Sequence, residues 1–393
     1  MIKKILKAFL PATYRKIDRS EKKILAALIE QNNCLLAELS NLNRRIDFLE
    51  NTLNNMRPLF AELRQTVENE ANWKRDDLSR IIEENKNLLR LLDFLQENMF
   101  YAMYKKDGES EIDAKKRFFK SLPEATGGLR LLQKGNLKLL KEMIKICEAN
   151  NLTYWIQDGT LLGAVRHNGF IPWDDDIDTG MLRSDIGKLA NVLKDNPDYK
   201  LNVCYDWWSK CRQIRFMSRQ PDIPCFVDVF IFDECDNSLD ENWIDFLERR
   251  KELMNYFESD TSSEIKYWKE HPFLSSENEN SQYIQSVFDR FSKLYFENFK
   301  SSPNLNKSIF YNLENFSYYH LKRLHDASEF FPLSKILFEG VEVNVPKDYE
   351  TLVSSEYGDI YKLPKDMFTH VHFSSTEKCS QNVQRIKNFI GRE

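Results

Sequence analysis

The sequence predicts a mixed α/β domain, with a mixed sheet and flanking helices, preceded by an N-terminal α-helical coiled coil. Three observations carry this. Residues 20–57 repeat apolar positions at 3,4 spacing. From residue 129 onward, segments of helical period alternate with short β-rich runs. Acidic residues cluster at the edges of apolar sequence, in IPWDDDIDTG (171–180) and FVDVFIFD (226–233).

Residues 1–19 form a basic amphipathic segment. Lys3, Lys4, Lys7, Arg15 and Lys16 flank Ile2, Ile5, Leu6, Phe9 and Leu10. The expected use is peripheral contact with an anionic membrane leaflet, a frayed terminus being the plainer reading. The segment lacks a long apolar core and a small-residue cleavage site, so no signal peptide is expected. Residues 20–104 read as a coiled-coil oligomerisation region. Leu25, Leu28, Asn32, Leu35, Leu39, Leu42, Ile46, Leu49, Leu53 and Met56 hold one seam, and Asn32 would fix its register. Pro58 should interrupt the helix. A second seam follows at Leu78, Ile81, Asn85, Leu88, Leu92, Leu95 and Met99. Homo-oligomerisation is expected, because the stripe is narrow.

Residues 105–128, containing KKDGESEID and SLPEATGG, read as a linker. The compact domain spans 129–375. It opens with an amphipathic helix that carries Leu137, Leu140, Ile144 and Cys147 on one face and stops at Asn150-Asn151. LTYWIQDG reads as a strand ending at Gly159, and 185–195 as a helix. CRQIRFMS and PCFVDVFIFD read as strands, 240–325 as helix-rich, and KILFEGVEVNVP as a hairpin turning at Glu339-Gly340. The tail, 376–393, is helical or loose.

Composition excludes several classes. The net charge of −5 gives no argument for nucleic-acid binding. No apolar stretch reaches the roughly 18 residues of a membrane span. Seven scattered cysteines suit a reducing cytoplasm, with the chain held peripherally at the inner face of the membrane. Cys204, Cys211, Cys225 and Cys235 invite a zinc reading, but no Cys-x2-Cys pair occurs, and buried thiols are expected.

The chemistry concentrates in residues 154–180. Gly159-Thr160 begins a small-residue turn whose backbone N–H groups suit phosphate. Asp176-Ile177-Asp178 places two carboxylates on one face of a strand. Side by side they repel, and a divalent cation removes that cost. Oxygen ligands suit Mg²⁺ or Mn²⁺. Asp228 is a lone acid in an apolar strand, costly to bury without a partner. Should its strand lie beside Asp176 and Asp178, the three meet at one site. A Ca²⁺ loop is the weaker reading, because DDDIDTG lacks the alternation and closing glutamate of an EF-hand.

The stretch DGTLLGAVRHNGFIPWDDDID (158–178) resembles the signature of the LicD family, within the nucleotidyltransferase superfamily. That family includes bacterial phosphorylcholine transferases and animal fukutin-related proteins. FVDVFIFD resembles its second acidic strand, and FEGVEVNVP…YETLVSSEYGDIY its C-terminal block. A histidine usually follows, and His370 and His372 are available. The similarity covers residues 130–373. The arginine often found shortly before that histidine is missing between Pro364 and His370.

The resemblance implies a nucleotidyltransferase-like catalytic domain that moves a phospho-alcohol, such as phosphocholine, from a CDP-linked donor to a sugar of a surface polysaccharide or lipopolysaccharide. It implies Asp174, Asp176 and Asp178 as the metal site, with Asp176, Asp178 and Asp228 catalytic and Asp228 the choice for removing the acceptor's proton. Gly159, Thr160, Arg166, His167, Arg212, His370 and His372 are candidates for substrate or phosphate. Arg166 and His167 could equally form a surface turn. Arg212 and Arg215 are read as projecting from one strand face, toward phosphate or solvent. Trp155 and Trp173 belong to the core. A choline-bearing donor would call for an aromatic cage, for which Trp207, Trp208, Tyr318 and Tyr319 are available. A sugar-phosphate or nucleotidyl transferase on the same fold, or a coiled-coil scaffold of glycan assembly, are the alternatives.

Overall fold

A computed structural model gives the fold and describes residues 50–52, 54–62, 75–235, 239–297, 307–315, 323–364 and 376–391. The chain divides into two units, Met1–Phe94 and Leu95–Glu393. The seam expected from Leu25 to Leu49, with Leu53, lies outside the described residues, as does the segment 1–19. Residues 54–62 are helical straight through Pro58, against the expected interruption. Helix α1 (Arg75–Tyr104) is 30 residues long, about 45 Å at 1.5 Å per residue. Ile81, Asn85, Leu88 and Leu92 of the second seam are half-buried, while the neighbouring Ile82, Leu89 and Leu91 are exposed.

Residues 105–128 are not a plain linker. They hold helix α2 (Glu111–Ser121), capped by the Ser110 hydroxyl accepting from the Asp113 amide at 3.2 Å. Ala114 and Phe119 are fully buried, and packing outweighs the polar composition that suggested a linker. Helix α3 (Gly127–Ala149) buries Leu132, Leu139, Leu140, Met143, Ile144 and Cys147 at helical spacing. Full burial of each leucine contributes about 1.5–3 kcal/mol. Next come β1 (Tyr154–Ile156), α4 (Asp158–His167), β2 (Asp178–Leu182), α5 (Arg183–Leu193), β3 (Tyr199–Asp206), β4 (Cys211–Ser218) and β5 (Val227–Cys235). Three helices then follow: α6 (Leu239–Ser259), α7 (Ser263–Glu270) and, beyond β6 (Phe273–Ser275), α8 (Ser281–Glu297). β7 (Ser308–Tyr311), β8 (Leu324–Asp326), α9 (Ala327–Phe330), β9 (Ser334–Phe338), β10 (Val341–Val345), α10 (Tyr349–Tyr357) and α11 (Thr376–Ile390) complete the described chain.

Among the described residues eight strands form one mixed sheet in the order β1-β2-β5-β4-β3-β6, with β7 and β8 attached through β5. β2 and β5 run parallel, and the other pairs are antiparallel. β5 therefore organises the sheet. Its start pairs with β4 and its end with β7. A parallel neighbour on a central strand demands a residue run that is apolar on both faces, which FVDVFIFD supplies apart from its aspartates. β3 was not anticipated, because YKLNVCYD mixes polar and apolar residues without clean alternation. One core cluster packs α3, α4, α11 and the hairpin on the sheet. A second gathers Tyr205, Trp268, Phe257 and Phe288 beneath α6 to α8. The β9–β10 hairpin turns through Glu339 (φ 51°) and Gly340 (φ 75°), two left-handed residues that suit a two-residue loop. Among the described residues no helix is long and apolar enough to cross a membrane.

Candidate active site

β1 ends at Ile156, three residues earlier than expected, and the chain turns directly into α4. The predicted Gly159-Thr160 turn is thus the first turn of a helix. Asp158 makes the change of direction at φ 48°, a left-handed conformation that aspartate tolerates. Leu161, Leu162 and Ala164 bury the helix against the core, which fixes its N-terminus beside β2. There the Thr160 hydroxyl accepts from the Asp178 amide at 2.8 Å. Gly159 approaches so closely that a Cβ would lie 2.7 Å from the Asp174 carboxylate.

Two amides of α3 hold the acidic loop. Gln133 donates to the Asp174 carbonyl and Asn136 to the Asp175 carbonyl, each at 2.8 Å. The same Asn136 accepts from the Phe226 amide at 3.0 Å, just before β5. β2 begins only at Asp178, but the Asp228 amide donates to the Ile177 carbonyl at 2.8 Å, so extended geometry carries back through Ile177. Asp175 and Ile177 are buried, while Asp174, Asp176 and Asp178 are half-buried on the other face. The parallel register sets Asp178 opposite Asp228. Asp176, Asp178 and Asp228 each offer an oxygen within 4.8 Å of the others, and Asp174, Asp175 and Asp176 form an overlapping group.

That density is electrostatically expensive. Burial, then the Asp176 charge, pushes the Asp174 carboxyl well above the usual range. Burial followed by Asp176, Asp158, Asp228 and Asp174 does the same to Asp178. Arg215 reaches the set: its Nε donates to Asp228 Oδ1 at 3.0 Å while its plane lies 4.0 Å over the Phe226 ring. Hard oxygen donors so closely spaced fit a divalent cation.

Residues 151–261 match the family described as LicD/FKTN/FKRP, nucleotidyltransferase domain. That stretch therefore carries a domain of the LicD family. It is 26% identical over 254 residues to the lipopolysaccharide cholinephosphotransferase LicD of Haemophilus influenzae, covering 58% of this chain and 90% of that protein. It is 42% identical over 60 residues to human ribitol 5-phosphate transferase FKRP, 14% of this chain and 12% of FKRP. An uncharacterized protein of Rickettsia prowazekii matches at 42% identity over 69 residues, 18% of this chain and 26% of that protein. The FKRP and rickettsial matches thus span 12% and 26% of those proteins.

Within this LicD-family domain, the structure brings Asp174, Asp176, Asp178, Asp228, Gly159 and Thr160 together. It engages others elsewhere. Arg166 donates to the Ile360 carbonyl at 3.0 Å and lies 4.6 Å over the Phe119 ring. His167 meets the Phe119 carbonyl at 3.0 Å. Burial, then Arg166, pushes its imidazole down to about 4. Both residues therefore anchor α2, rather than facing phosphate as expected. Arg212 and Arg215 do not share a strand face. Three residues apart in a strand they point oppositely; Arg212 meets Asp289 at 2.7 Å and also pairs with the buried Glu314. Trp207 is buried, with Lys210 and Lys269 at 3.8 and 4.8 Å from its ring, which leaves it poorly placed for a cage. Trp208 is exposed. Trp155 is fully buried, as expected of a core residue. His370, His372, Tyr318 and Tyr319 lie outside the described residues. Cys147, Cys204, Cys211 and Cys225 are buried free thiols, and the metal-capable groupings among the described residues contain no cysteine.

One ionic cluster escaped the sequence. Arg323, just before β8, donates to Asp158 Oδ2 at 3.1 Å and also pairs with Asp158 Oδ1. Its Nε lies 4.0 Å from Glu356 on α10, and its plane 4.6 Å over the Tyr311 ring. Burial, then the Asp158 charge, pushes the Glu356 carboxyl up to about 7, against the pull of Arg323. Glu356 lies in YETLVSSEYGDIY, and its place in the last turn of a helix beside two tyrosines was the available signal.

Proposed function

We propose that this chain is a metal-dependent transferase moving a phospho-alcohol from a CDP-linked donor to a sugar hydroxyl of a cell-surface glycan. The observation that carries the reading is the meeting of Asp176, Asp178 and Asp228 across the parallel β2–β5 pair, in a chain that aligns with 90% of a lipopolysaccharide cholinephosphotransferase. The ribitol 5-phosphate transferase among its relatives supports the same class, transfer of a phospho-group.

Asp174, Asp176, Asp178 and Asp228 would hold Mg²⁺ or Mn²⁺. When bound, the cation offsets charge on the transferred and leaving phosphate oxygens. The protein's own groups do the rest. Thr160 fixes the start of β2, so the acids are placed before substrate arrives. The first turn of α4 presents free backbone N–H groups and a positive helix end beside the acids, where donor phosphate would lie. Arg215 pins Asp228 Oδ1 and leaves Oδ2 for the cation, so we assign Asp228 to metal rather than to removing the acceptor's proton. The N-terminal region would assemble a homo-oligomer, and segment 1–19 would hold it at the inner membrane face.

The test is nucleotide release by the full-length protein with Mn²⁺ and a panel of CDP-choline, CDP-ribitol, CDP-glycerol and UDP-sugars. Metal-dependent CMP release from one CDP-alcohol, lost in Asp176→Asn, is the expected result. UMP release would instead assign a sugar-phosphate transferase, and absence of any turnover or binding would overturn the enzyme reading.

A further inference from the structure

At the opposite end of α4 from the acids lies a cavity of about 560 Å³. It is walled by α2, by Ala164, Val165 and Asn168 of α4, by the β9–β10 hairpin and by the start of α10. Its volume falls within the range of small-ligand sites. Lys116 and Lys120 enter from α2, one helical turn apart and so on one face. Their neighbour Lys115 has Glu97, Glu111 and Asp359 around it at 3.2–3.6 Å. Lys116 and Lys120 have no ion pair or hydrogen bond among the described residues, and both are exposed. Tyr349 and Tyr361, half-buried, supply aromatic surface, and Glu350 and Asn168 supply polar atoms at the rim.

Two ammonium groups on one face, with no ion pair among the described residues, favour an anion. Tyrosine surface with carboxylate and amide acceptors suits a ring carrying hydroxyls, since the carboxylate can accept from them. A flat anionic membrane would meet Glu350 as a like charge, whereas a sugar can present its anion to the lysines and a hydroxyl to Glu350. From Thr160 to Asn168 is eight residues, about 12 Å along the helix. A short oligosaccharide spans that distance to the acids.

We propose that this cavity binds an anionic sugar unit, bearing phosphate or carboxylate, of the acceptor glycan. It would hold the acceptor while a neighbouring sugar offers its hydroxyl at the aspartates. The inference rests on the transferase reading but is tested without donor or metal, so each can fail separately. Calorimetric titration of the full-length protein with glucose 6-phosphate, glucuronate, glucose and inorganic phosphate reads it. One charged sugar should bind, its identity separating phosphate from carboxylate, and glucose and inorganic phosphate should bind more weakly. The paired variant Lys116→Gln/Lys120→Gln should weaken binding by about tenfold or more, from two lost charge-assisted contacts. Asp176→Asn should bind unchanged. Absence of binding by either charged sugar, binding indifferent to the lysines, or loss of binding in Asp176→Asn would overturn it. So would inorganic phosphate binding as tightly as the sugar, or lysine-dependent capture by phosphatidylglycerol vesicles without binding of either sugar.

Discussion

Asp178→Asn should stabilise the metal-free protein while abolishing its response to metal. The carboxylate oxygens of Asp176, Asp178 and Asp228 lie within 4.8 Å of one another. Two full charges at that distance, with an effective dielectric of about 20, repel by roughly 3.5 kcal/mol. Asp178 escapes part of that cost by holding its proton, since burial and its acidic neighbours raise its affinity for one. The realised gain on neutralising it is therefore about 1–2 kcal/mol. Asparagine keeps the backbone amide that donates to Thr160, so the strand is undisturbed. Urea denaturation in EDTA, and again with Mn²⁺, measures both effects. Wild type should gain about 2.7 kcal/mol at a hundredfold excess of Mn²⁺ over its dissociation constant, and the variant well under about 1. The order of stability thus inverts between the two conditions. A variant less stable than wild type in EDTA, or one that gains as much from Mn²⁺, would refute the account of a repulsive cluster built for a cation.

Three further outcomes are expected. The Glu356 carboxyl, raised from 4.5 to about 7, favours its neutral form in the folded state. Its contribution is therefore complete at low pH and lost as pH rises through about 7, by at most roughly 3 kcal/mol, and Glu356→Gln should flatten that part of a pH–stability profile. The His167 imidazole, lowered from 6.5 to about 4, works in the opposite sense. Its contribution is present above about 6.5 and lost as pH falls toward 4, and the acid limb of the profile should shrink in His167→Phe. Gly159→Ala would place a methyl 2.7 Å from the Asp174 carboxylate and displace it; Mn²⁺ affinity, followed by electron paramagnetic resonance, should drop by about tenfold while far-UV circular dichroism stays unchanged.

The legible part of the site was the part written locally. Asp174, Asp176 and Asp178 share a face because the chain is extended there, and alternation can be read from a single stretch. Asp228 declared itself as an acid in an apolar strand, where only a partner makes burial tolerable. Its register with Asp178 spans fifty residues and a crossover, which local pattern constrains only loosely. Asp158 and Arg323 lie farther apart still, and nothing in either neighbourhood announces the pair. Arg166 and His167 misled for the reverse reason. Beside a turn sequence they read as exposed, but Phe119 and Ile360 arrive from distant segments that no local pattern places there. α2 was obscured by its polar composition, since its buried side is narrow. The α4 helix was hidden by its glycines, which ordinarily mark turns and here allow close approach to Asp174 and to the loop after the helix.

The parallel pairing of β2 with β5 also bears on how the protein acquires its site. Until that long-range pair forms, Asp178 and Asp228 are separate residues on separate segments, with no shared affinity for a cation. Parallel pairings of high sequence separation form late, because chain entropy must be lost before contacts compensate. A cation would therefore engage the finished domain, not the chain on its way there. Metal should slow unfolding while leaving the refolding rate nearly unchanged, as expected of contacts absent from the transition state. The site would then act as a lock closed after folding, making persistence of the native domain in the cell depend on available divalent cation.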